Sequence, residues 1–158
     1  MRSLLLTLPL LLVLPACAGG DGEPTLEERR EAYVEQAEEV CVQSNQQVQE
    51  LGTPGSVAEV PAAADRAVEI VRTTVDQITA LDPPEEDRPE LTERVLDPLR
   101  DDVGVAEAYA EEVKAAAAAG DGATLLRLVQ ERPQTSADLD FMREYGFDQC
   151  VRAADQQG

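Results

Sequence analysis

Residues 60–78, VPAAADRAVEIVRTTVDQI, decide the fold. Their apolar positions, Val60, Ala64, Val68, Val71, Val75 and Ile78, recur at spacings of four and three. At 3.6 residues per turn those side chains line one stripe of a helix, with Asp65, Arg66, Glu69, Arg72 and Asp76 on the other faces. A half-buried strand would alternate apolar and polar residues with period two, and no stretch of the chain does so. The helix begins at Ser56, boxed by Glu59, or at Pro61, whose ring suits a first-turn position. Leu81-Asp82-Pro83-Pro84 stops it.

The same period extends outward on both sides. Toward the N-terminus, Thr25 and Glu28 form a capping box ahead of a stripe at Tyr33, Ala37, Val40, Ser44, Val48 and Leu51, which ends at Gly52-Thr53-Pro54-Gly55. Toward the C-terminus a third helix runs from about Pro89 to Ala119, with Leu99, Val103, Ala106, Ala110, Val113 and Ala117 on one side. Pro98 falls inside it and either kinks it or starts a new helix capped by Asp97. Gly120-Asp121-Gly122 closes that helix. Leu125, Leu128 and Val129 begin a fourth, which Pro133 interrupts. Ser136 caps a last segment carrying Leu139, Phe141, Met142 and Tyr145, and Gly146-Phe147 has the form of a Schellman stop. The expectation is an all-α fold over residues 25–150, an antiparallel up-down bundle of about four helices, followed by a polar tail at 151–158.

Residues 1–16 have the layout of an export leader. Met1 and Arg2 precede a leucine-rich run from Ser3 to Val13, which is too short to span the roughly 30 Å of hydrocarbon that takes about 20 apolar residues. The end of the run, Leu14-Pro15-Ala16-Cys17, resembles a bacterial lipobox with Cys17 as the lipid acceptor, although Pro15 is not the preferred residue at its position. Ala16-Cys17-Ala18 also satisfies the small-x-small rule of ordinary leader cleavage. That alternative leaves a reactive thiol near the new terminus of an exported protein. On the lipobox reading, Cys17 carries the anchor to the membrane and residues 17–24 form a glycine-rich tether.

Of the three cysteines, Cys41 and Cys150 then remain. An exported pair most simply forms a disulfide, here joining the first helix to the C-terminal end. The cysteine in helix one followed by Asn45, the Leu81-Asp82-Pro83-Pro84 break, Gly120-Asp121 and Tyr145-Gly146-Phe147-Asp148-Gln149-Cys150 together resemble the small helical lipoproteins of actinobacteria, over residues 31 to 150. That resemblance implies an all-helical, disulfide-closed exported domain, and it implies no activity.

Composition narrows the function classes. The 158 residues hold 13 Lys and Arg against 32 Asp and Glu, a formal net charge of −19. Such a surface repels phosphate backbones, so nucleic acid is not an expected partner. The sequence has no histidine, which removes HExxH zinc sites, His-based triads and the Glu-x-x-His motif of di-iron bundles. No glycine-rich phosphate loop occurs, and no cofactor, metal site or catalytic residue is expected. The acidic pairs Glu38-Glu39, Asp101-Asp102 and Glu111-Glu112 lack EF-hand spacing and read as a solubilising surface. Lys114 reads as ion-paired. The expected function is a lipid-anchored extracytoplasmic helical module acting through an unknown protein partner at the cell envelope. The alternative is a solute- or lipid-binding protein with a cavity between helices, its ligand unknown.

Overall fold

A computed structural model describes residues 23–157. The leader at 1–16, Cys17 and the tether as far as Gly22 lie outside the described residues. Among those described, the regular structure is helical and no strand occurs. Helix α1, Leu26–Leu51, starts in the expected box: the Glu28 N–H donates to the Thr25 hydroxyl at 3.2 Å, and the Thr25 N–H donates to the Glu28 carboxylate at 2.7 Å. The helix ends at Gly52, whose φ of 64° lies in the region glycine alone enters freely. Helix α2, Val60–Ala80, carries Pro61 in its first turn and follows a 3₁₀ turn at Val57–Glu59. Ser56 makes no side-chain cap; the Glu59 carboxylate instead accepts from the Gly55 N–H at 2.9 Å and the Ser56 hydroxyl at 3.2 Å. The stop that follows α2 is packed rather than looped out, with Pro83 and Pro84 buried.

Pro98 breaks the next helix in a particular way. The chain runs through α3, Arg88–Leu91, a π turn at Thr92–Leu96 and α4, Asp97–Ala119. Proline has no N–H to give the carbonyl four residues back, that of Arg94. Ahead of it the Asp97 N–H bonds to the Thr92 carbonyl, five residues back, which is the π register. The freed Arg94 carbonyl accepts from the Asp138 N–H at 2.9 Å. Asp97 therefore caps nothing, and the helix continues past the proline with a widened turn whose open carbonyl binds a distant segment.

The expected fourth helix is three short ones. Helix α5, Gly122–Gln130, is capped by Asp121, which accepts from the Thr124 N–H at 3.0 Å. Helix α6, Leu139–Tyr145, is capped by Asp138 rather than Ser136, with the Phe141 N–H donating to the Asp138 carboxylate at 3.0 Å. It ends in the expected Schellman pattern: Gly146 at φ 109°, its N–H bonded to the Arg143 carbonyl at 3.2 Å, and the Phe147 N–H bonded to the Met142 carbonyl at 2.9 Å. Helix α7, Asp148–Gln157, replaces the polar tail expected from residue 151, and Val151 is buried beneath it. Val151, next to the disulfide-bonded Cys150, docks this otherwise polar-rich helix on the core.

The main core joins α1, the α3–π segment and the C-terminal helices: Tyr33, Ala37 and Cys41 pack with Leu91, Val95 and Leu96 and with Phe141, Met142, Phe147, Cys150 and Val151. Leu91 is fully buried. The Cys41–Cys150 disulfide is formed, with a Cα–Cα distance of 5.0 Å, and ties α1 to the first turn of α7. Val75, Ala110, Ala116 and Leu128 are buried outside that core, where α4 meets α2 and α5. Pairs between α2 and α4 run in opposite order: Asp65 reaches Lys114 and Arg72 reaches Glu107.

Candidate functional site

Four of the five aromatic residues meet where α1, α3 and α6 converge. Tyr33 stands edge-on to Tyr145 and Phe147, at centroid distances of 6.4 and 5.9 Å, and Tyr145 stacks on Phe147 at 5.1 Å. Above this cluster sits the most perturbed set of titratable groups among the described residues. The Asp87 carboxylate accepts from both sides of the Arg30 guanidinium and from the Tyr145 hydroxyl at 2.8 Å. Arg30 holds the Asp87 carboxyl below the usual range, with help from Tyr145 and against desolvation. Tyr145 moves the opposite way: burial pushes its phenol up, and donating to Asp87 adds to the shift. The Asp87 anion is thus held by a guanidinium and by a hydroxyl donor. Such a group holds elements together; it has no proton to give near neutral pH.

A second set lies one turn along, at the Pro98 break. The Asp138 carboxylate takes the Arg94 guanidinium at 2.7 and 3.1 Å, and Arg94 lies over the Phe141 ring at 4.2 Å. The backbone bond from Asp138 to the freed Arg94 carbonyl makes the pair a two-sided junction. Next to it, Asp102 accepts from the Thr135 hydroxyl at 2.7 Å, the Ser136 hydroxyl at 2.7 Å and the Ser136 N–H at 3.0 Å. On α1, Glu38 accepts from the Gln149 N–H at 2.7 Å and the Cys150 N–H at 3.3 Å, so an acidic side chain from another helix satisfies the start of α7. The five carboxyls whose affinity for protons clearly moves, Glu28, Glu86, Asp87, Asp121 and Asp138, all move down, each through hydrogen bonds to its charged form.

Of the residues singled out in the sequence, Cys41 and Cys150 are joined, and Cys17 lies outside the described residues. Lys114 is paired with Asp65 at 2.8 Å and Glu111 at 2.6 Å. The Lys114–Asp65 and Arg72–Glu107 pairs cross an open groove of about 670 Å³ between α2 and α4, lined also by Val68, Gly104 and Ala108. Among the described residues no group of three or more acidic or sulfur ligands is arranged to hold a metal ion, and no helix is long and apolar enough to cross a membrane. Sequence reasoning missed Arg30, Asp87, Arg94, Asp102 and Glu38 as structural contacts. Each sits in a charge-rich helical stretch that looks solvated, and its partner is far away in the chain. Comparison with protein-family models, curated proteins and solved structures gave no match.

Proposed function

We propose that this chain is a lipid-anchored extracytoplasmic helical module, held to the outer face of the cell membrane through Cys17 and acting by contact with an envelope protein. The observation that carries the compartment is the Cys41–Cys150 disulfide, since such bonds persist where the surroundings are oxidising. The folded part begins at the Thr25 capping box, directly after the glycine-rich segment that would serve as tether. Beyond the lipid-bearing Cys17, an extended tether of residues 18–24 would reach about 25 Å at roughly 3.5 Å per residue, enough for the domain to stand clear of the headgroups. The overall arrangement belongs to the same proposal: an antiparallel up-down bundle of about four helices, with α5 to α7 together in the place of the fourth. The opposed order of the α2–α4 ion pairs supports that direction of packing.

Contact with a protein is favoured over solute binding because side chains of the domain itself span the α2–α4 groove as ion pairs. Leu126 and Val129, both more than half exposed on α5, offer apolar contact area instead. Membrane fractionation of cells making the wild type and Cys17→Ala tests the anchor: the variant is expected in the soluble exported fraction, and its retention on membranes would overturn the lipid attachment. Crosslinking in intact cells tests the contact, with a partner captured by wild type and lost on Leu126→Glu/Val129→Glu.

A further inference from the structure

The C-terminal helices have two ties to the rest of the molecule that differ in kind. Along the chain, α6 and α7 hang from the exposed segment 131–134 after α5. Across the chain, the Cys41–Cys150 bond holds the first turn of α7 to α1. Between those ties, Phe141, Met142, Phe147 and Val151 cover an apolar groove formed by Tyr33 and Ala37 of α1, by Ile78 near the end of α2 and by Leu91, Val95 and Leu96 of the α3–π segment. At 7 and 10 residues, α6 and α7 are shorter than the roughly 12–15 at which a helix begins to hold by itself in water, so their order depends on being docked. Of the polar ties that assist, Arg94 with Asp138 and Asp102 with Ser136 are open to solvent, where such contacts contribute little, while Tyr145 with Asp87 and Glu38 with the start of α7 are partly buried. The buried residues between α2, α4 and α5, namely Val75, Ala110, Ala116 and Leu128, lie outside this core and include none from α6 or α7.

We propose that α6–α7 is a redox-gated strap: the disulfide keeps it closed over the α1/α3 groove, and reduction opens it while α2, α4 and α5 stay folded. The step is a thiol–disulfide exchange with an external dithiol. The Cys41–Cys150 S–S bond breaks, two electrons and two protons pass to the two sulfurs, and the dithiol becomes a disulfide. Cys41 and Cys150 each keep 7% of their surface exposed. Local opening of the ten-residue helix α7 gives the dithiol access. Once the bond is broken, the strap is joined covalently to the rest only through 131–134.

Amide hydrogen exchange on the full chain, oxidised and after treatment with dithiothreitol, tests the gate. The reduced protein is expected to exchange at least about tenfold faster over residues 139–157 and over 33–41, with residues 60–75 and 103–119 unchanged. Cys41→Ala/Cys150→Ala is expected to show the same pattern without reductant. A uniform rise across all helices, or unfolding of the reduced chain, would show that the bond is a global staple and would overturn the gate. Unchanged protection over 139–157 would overturn it equally.

Discussion

Asp138 does three jobs with one residue. Its N–H satisfies the carbonyl that Pro98 leaves open, one carboxylate oxygen caps α6, and the other takes the Arg94 guanidinium. Asp138→Asn keeps an oxygen for the cap and loses the charge, whereas Asp138→Ala loses both, so the urea midpoint should fall further for alanine than for asparagine. Equal midpoints would mean that the cap contributes nothing. At Asp87 the consequence is a pH dependence. Its carboxyl binds protons less tightly when folded than when unfolded, so its contribution is present above the unfolded value and is lost as pH falls through the folded one. Acid unfolding below about pH 4 should therefore weaken in Asp87→Asn relative to wild type, as read from the slope of stability against pH. Tyr145→Phe removes the hydroxyl donor and keeps the ring, and should cost about 1 kcal/mol in a urea titration.

At the scale of single elements, what could be read in the sequence divides by distance. The Thr25–Glu28 box and the Gly146-Phe147 stop are local, each fixed by residues within five positions of one another, and each formed as its residues suggested. The helical stripes were readable for the same reason. The contacts that join the elements were not: Arg94 meets Asp138 across 44 positions, Asp87 meets Tyr145 across 58, and Glu38 meets Gln149 across 111. In a chain with 32 acidic residues, nothing marks those few carboxylates as structural. The cap of α6 was misplaced by two positions for a related reason. Ser136 and Thr135 are drawn to Asp102 on α4, and that leaves Asp138 to cap. Helix α4 holds one further lesson. Gly104 sits in its interior, and a Cβ there would meet nothing within 4 Å. Packing does not require glycine at this position, so Gly104→Ala should raise stability by about 0.5–1 kcal/mol in thermal or urea unfolding. A loss of stability would show that the open side of α4 is filled in solution.

For the molecule as a whole, the disulfide ties α1 to the first turn of α7. It also determines which part of the chain covers the main core, because Cys150 stands between Phe147 and Val151 in that core. A net charge of −19 opposes self-association by like-charge repulsion and is compatible with the proposed role as a module held by its end. The most direct test of that whole picture is mass spectrometry, without reduction, of the protein recovered from the cells that export it. The expected result is a polypeptide starting at a diacylglycerol-modified Cys17, with the Cys41 and Cys150 peptides linked to each other. An intact chain beginning at Met1, with all three thiols free, would contradict it.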